Sequence, residues 1–134
     1  MTTLTPYLLF EGNCADAMRF YHERLGGELT IAKAGESFLK DRLPPDLHQL
    51  VVNARLKGSA FDLSASDWMR TNLAPVRGNM NCIYFSGGTR AELKVLFDAL
   101  SEGAEVTDPI QDLPFGFYGA LNDKFGVRWM FHAD

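Results

Sequence analysis

The apolar run within Thr5–Glu11 predicts a strand, whose period of two puts Leu8 and Phe10 on one face and Tyr7 and Leu9 on the other. Gly12-Asn13 ends that pattern and the period lengthens. Ala17, Met18, Phe20, Tyr21 and Leu25 form a stripe at helical spacing, while Arg19, His22 and Glu23 fall on the wet side. Asn13 is placed to cap this helix, and Asp16 suits its positive end. Gly26-Gly27 provides the left-handed stop that a Cβ resists. Strands are expected at Glu28–Ala34, Gln49–Leu56 and Ala60–Ser66. In the last, Phe61, Leu63 and Ala65 share one face and Asp62, Ser64 and Ser66 the other. Gly35–Asp46 is irregular. Its Pro44-Pro45 pair argues against helix or central strand and predicts a mobile flap.

The same order then returns. A strand is expected at Asn79–Ser86, and Thr89 with Glu92 reads as a capping box. Leu93, Leu96, Phe97 and Leu100 carry the helical stripe and Gly103 stops it. Strands follow at Glu105–Gln111, Phe117–Leu121 and Val127–His132, the last two joined by a turn over Asn122–Gly126. Each half therefore reads β-α-β-β-β. The expected class is α+β, two βαβββ modules forming a curved mixed sheet around a cavity. Residues 1–134 make a single domain in this reading, with module 1 at about 4–67, a linker at about 68–78 and module 2 at about 79–133.

Composition narrows the function classes. The net charge of -4 disfavours nucleic acid and anionic membranes as partners. No apolar run reaches the ~20 residues that span a bilayer. MTTLTPYLLF shows neither a basic leader nor a cleavage site, so a cytoplasmic protein is expected. The two cysteines, Cys14 and Cys82, have no metal-like spacing and read as reduced thiols. Cys14 falls in the first helical turn, where the helix dipole lowers a thiol pKa.

TPYLLFEGNCADAMRFY, ARLKGSAFDLSASD, FDALSEGAEV, Gln111-Asp112 and DKFGVRWM together carry a resemblance. With the doubled βαβββ order, they resemble the PhnB-like branch of the glyoxalase/bleomycin-resistance/extradiol-dioxygenase superfamily, also called vicinal-oxygen-chelate. The resemblance implies a ligand cavity on a concave sheet face and a homodimer. Enzymes of that superfamily hold a divalent metal with His and Glu side chains from the lining strands. The branch is also labelled a ubiquinone methyltransferase domain, but no Gly-rich nucleotide loop supports methyl transfer.

Carried onto this chain, the metal positions fall near Thr5–Tyr7, on Asp62 or Ser64, near Asn81 and on Met130. Three protein ligands cannot be assembled from these. The expectation is thus a small-molecule binder without an obligatory cofactor, with Tyr7, Asn53, Asp62, Ser64, Asn81, Phe115, Phe117 and Arg128 as ligand-binding residues. Asp62 is the best candidate for a catalytic base, against the alternative that it pairs with Arg55. Two further readings stay open. One is a metal-dependent lyase, isomerase or dioxygenase built on Asp62 with His48 or His132; the other is a structural or interaction protein with a filled cavity.

Overall fold

In a computed structural model describing residues 1–134, the chain runs β1 (Tyr7–Phe10), α1 (Cys14–Leu25), β2 (Glu28–Lys33), β3 (Val51–Lys57) and β4 (Asp62–Asp67). It continues with β5 (Ile83–Ser86), α2 (Arg90–Leu100), β6 (Glu105–Leu113), β7 (Gly116–Asn122) and β8 (Arg128–Ala133). Contacts divide it into two units, Met1–Pro75 and Val76–Asp134. Each is βαβββ with one mixed four-stranded sheet. The strand orders are β1-β4-β3-β2 and β5-β8-β7-β6, the first pair parallel in each and the rest antiparallel.

In the first unit the helix supplies three of the large core side chains. Met18 and Tyr21 of α1 are fully buried, and Phe20 nearly so. Beneath them Ala54 of β3 lies opposite Ala65 of β4, both fully buried, with Phe10, Val51, Leu56 and Leu63 completing the sheet's side of the core. Asn13 does not cap α1 with its side chain; only its carbonyl takes part, accepting from Ala17 N–H. The cap comes from a distance. Asp67, at the end of β4 and only 4% exposed, accepts from Gly12 and Cys14 N–H through Oδ1, both at 3.0 Å, and from Val51 N–H through Oδ2 at 2.8 Å. One carboxylate thus fixes the β1–α1 turn, the helix start and the entry to β3. It satisfies donors that would otherwise be orphaned at the helix end.

The stretch between β2 and β3 is more regular than its sequence suggests. It holds two short 3₁₀ turns, Ala34–Glu36 and Pro45–Leu47, and Pro45 opens the second. A proline lacks the N–H that the first position of a turn leaves unused, so it is suited there. The His48 imidazole Nε2 bridges the Lys40 and Leu43 carbonyls, each at 2.9 Å.

In the second unit the bulk comes from the sheet. Phe85 of β5 stacks on Trp129 and Phe131 of β8, with centroids 5.6 and 5.4 Å apart, and Phe97 of α2 meets Phe131 edge-on at 5.3 Å. Gly119 of β7 lies opposite Phe131. A Cβ there would stand 2.8 Å from Ile110 Cβ and 3.0 Å from the Phe97 ring, so the close approach requires glycine. The Thr89–Glu92 capping box on α2 is present in both directions. Asp123, 4% exposed in the β7–β8 turn, accepts from Phe125 and Val127 N–H and from the Trp129 indole.

Candidate functional site

Each sheet has one face against its helix and one face open. Strand parity and register decide which side chains share the open face. In the first sheet one row runs across all four strands: Tyr7 beside Ser64, Ser64 beside Arg55, Arg55 beside Thr30. Asp62 lies in the adjacent row with Lys57 and Glu28. Asn53, exposed and opposite Ala32, lies farther along the same face. Tyr7, Asn53, Asp62 and Ser64 therefore all lie on one surface.

Asp62 is held by Arg55 in a bidentate pair, Nε to Oδ1 at 2.9 Å and Nη2 to Oδ2 at 2.6 Å, with Lys57 Nζ at 3.9 Å. The hydrogen bonds and charge of Arg55 hold the Asp62 carboxyl below its usual range and raise the guanidinium in return. A carboxylate so held is a poor proton acceptor near neutral pH. Beside the pair is a depression of about 150 Å³ lined by Glu28, Thr30, Arg55 and Lys57.

The open face of the second sheet is different in kind. One row runs Ser86, His132, Tyr118 and Gln111; the next runs Tyr84, Met130, Ala120 and Asp108. Tyr84 Oη lies 3.2 Å from His132 Nδ1, and His132 Nε2 lies 3.1 Å from the Phe115 carbonyl. The Cys82 thiol points at Met130 Sδ, 3.1 Å away. Arg128, at the far end of β8, bonds Thr107 Oγ1 and Asn122 Oδ1, both at 3.1 Å, with Asp108 Oδ2 at 3.8 Å. Tyr118 has its phenol pKa raised, first by partial burial and then by Asp108.

Several expected positions shift. Phe115 is 61% exposed and packs its ring edge-on to Tyr118, 5.5 Å between centroids. Phe117 has the opposite parity: it is buried on the helix side with Arg90 of α2 over its ring at 5.7 Å, so it does not belong to the open face. Asn81 precedes β5 and is exposed, and it is Cys82, one residue on, that reaches Met130. Cys14 is fully buried. Loss of water, with Asp67 beside it, pushes its pKa up to about 12, opposite to the dipole effect expected from its place in the helix. Tyr84, Tyr118, Cys82 and the His132–Tyr84 contact were missed. The strand periods carry a signal, since Tyr84 and His132 each have open-face parity, but the parallel register joining them is not written locally.

The superfamily's divalent metal can be tested against these donors. Tyr7 and Ser64 offer hydroxyls, Asp62 a carboxylate already filled by a guanidinium, Asn81 an amide outside the strand and Met130 a soft thioether. His48 Nε2 and both nitrogens of His132 are engaged. No group of three His, Cys, Asp or Glu side chains is placed to share an ion. These residues do not fit a hard divalent cation.

No family model matches the chain. It is 30% identical to Protein YjdN of Escherichia coli K12 over 142 aligned positions, covering 97% of this chain and 94% of that protein. Among solved structures it resembles protein PA1353 of Pseudomonas aeruginosa, at 34% identity and TM-score 0.84, covering 100% of this chain and 98% of the other. A PhnB protein of Bacillus cereus shares the fold at 24% identity and TM-score 0.75, with 99% and 100% covered. So does a glyoxylase/bleomycin resistance protein/dioxygenase domain of Frankia sp., at 20% identity and TM-score 0.65, with 99% and 97% covered.

Proposed function

We propose that this chain, which belongs to one family with Protein YjdN and shares the fold of PhnB and glyoxalase/bleomycin-resistance proteins, binds a small organic molecule on its open sheet faces without an obligatory metal. The observation that carries this reading is the open face of the second unit. Tyr84, Tyr118, Met130 and His132 occupy registered neighbouring positions there, facing away from α2, and Tyr84 is 49% exposed. Aromatic and thioether surface with a few fixed polar groups is what recognition of a small organic molecule needs. Arg128 adds an oriented cation at one end and Phe115 an exposed ring at the other. On the first unit, Tyr7, Asn53, Ser64 and the neutralised Arg55–Asp62 pair offer a second polar surface.

The test is a melting-temperature screen of chelator-treated protein against small aromatic and hydroxylated compounds. Stabilisation by a ligand without added metal supports the reading. Stabilisation that appears only with a stoichiometric divalent ion contradicts it.

We also read the protein as a cytoplasmic homodimer. No helix is long and apolar enough to cross a membrane. Two free thiols, Cys14 buried and Cys82 exposed, suit a reducing compartment. Exposed Val76 and Met80, 88% and 95% accessible, are apolar surface available for self-association. Light scattering on the purified chain measures the mass directly, and a monomer at micromolar concentration overturns the dimer.

A further inference from the structure

The two hydrogen bonds of His132 determine which way its proton points. A carbonyl oxygen has no hydrogen to give, so the contact at 3.1 Å makes Nε2 the donor to Phe115 O. In the neutral ring Nδ1 then carries the free lone pair. The Tyr84 hydroxyl 3.2 Å away must supply the hydrogen of that bond. With its proton committed to Nδ1, Tyr84 Oη turns its lone pairs outward from the sheet, where the residue is 49% exposed. The site thus offers an acceptor to the ligand, backed by a base and by a backbone carbonyl that holds the base in one tautomer.

We propose that Tyr84, His132 and the Phe115 carbonyl form a proton relay that recognises and ionises a phenol- or enol-type hydroxyl. This rests on the ligand-binding reading of the same face and names the class of ligand. In the step, the ligand O–H breaks as its proton forms a new O–H bond at Tyr84 Oη. The proton Oη held passes to His132 Nδ1. The products are a ligand oxyanion and an imidazolium, which keeps Nε2–H on Phe115 O and gives Nδ1–H to Tyr84. No oxidant, metal or second substrate is required. Phe115 shelters the ring at 6.0 Å. Charged and titratable neighbours on this face are Cys82 before β5, Tyr118 from β7, Glu105 and Asp108 from β6 and Arg128 on β8.

Two measurements test this on the intact chain. Nitrogen-15 NMR of the imidazoles, with His22→Gln and His48→Gln used for assignment, reads the tautomer without ligand. The relay predicts neutral His132 with its hydrogen on Nε2; hydrogen on Nδ1, or a rapid average of both, overturns it. The second uses para-nitrophenol, whose oxyanion is yellow. At a pH where most free compound is protonated, mixing with protein should raise the yellow fraction. Tyr84→Phe should weaken binding about five- to ten-fold. In His132→Gln, brought to saturation with the compound, the colour should return to that of free compound at the same pH. Binding by the unaltered protein without a colour change overturns the relay while leaving the ligand-binding face standing. Failure of para-nitrophenol and every screened compound to bind overturns both.

Discussion

The two units share one topology and divide the work of holding it differently. In the first, a carboxylate distant in sequence is the staple: Asp67 reaches backbone donors 55, 53 and 16 positions away. In the second, Asp123 serves its own hairpin, with partners 2, 4 and 6 positions away. The cores differ too, with large α1 side chains over Ala54 and Ala65 in one and sheet bulk around Gly119 in the other. The open faces diverge further. Arg55 neutralises Asp62 on the first sheet, whereas His132 and Tyr84 on the second keep a base beside a phenol with no carboxylate between them. A duplicated scaffold thus constrains the helix side of each sheet through packing and leaves the open side free to vary.

The largest effect that separates the units is expected from their staples. Asp67→Ala leaves three backbone N–H groups without their acceptor and should cost about 3–5 kcal/mol. Asp123→Ala, whose backbone partners Phe125 and Val127 lie in its own turn and are left without an acceptor together with the Trp129 indole, should cost about 2–3 kcal/mol. Denaturant melts of both variants test the order, and an equal or reversed pair would contradict the contrast between distant and local staples.

Next comes packing. Gly119→Ala inserts a methyl group against Ile110 and Phe97 and should cost about 1–3 kcal/mol. In β3 of the first unit Ala54 is fully buried opposite Ala65, and Ala54→Gly should cost roughly 1 kcal/mol by loss of packing and backbone restraint. A Gly119→Ala protein that melts like the parent would show that the sheet-bulk core has slack.

Cys14 supplies a pH dependence. Its folded pKa is raised from 9.0 to about 12, so the unfolded chain loses this proton first. The contribution is fully present below pH 9.0 and is lost as pH rises toward 12, at a slope approaching about 1.4 kcal/mol per pH unit. Comparing alkaline unfolding of the parent with Cys14→Ala isolates that slope. Native protein should also take up one equivalent of maleimide, on exposed Cys82, and a second only after denaturation. Rapid native labelling of Cys14 would contradict its burial. Smallest is Arg55→Met, which should barely alter melting but move the Asp62 carboxyl up toward its ordinary range by carbon-13 NMR.

The doubled βαβββ order was readable because amphipathic period is local: two residues for the strands, about 3.6 for α1 and α2. The Thr89–Glu92 box was readable for the same reason, its two members being three residues apart. Asp67 was not, because nothing local distinguishes a strand-end aspartate that caps a helix 53 positions earlier from one that faces water. The choice of Tyr7, Asn53, Asp62 and Ser64 followed strand parity and family position, and they share a face. Phe117 missed that face because aromatic character says nothing about which side of β7 meets α2. The Tyr84–His132 contact depends on a parallel pairing 48 residues apart, which no local pattern encodes.

The central claim is that the open face of the second unit is where a ligand binds without metal. Amide and methyl NMR of chelator-treated protein, titrated with the best stabilising compound from the melting screen, tests it most directly. The account predicts shifts concentrated on Tyr84, Tyr118, Met130 and His132, with α2 unmoved. Saturable shifts confined to other surfaces, or shifts on this face that need an added divalent ion, would contradict it.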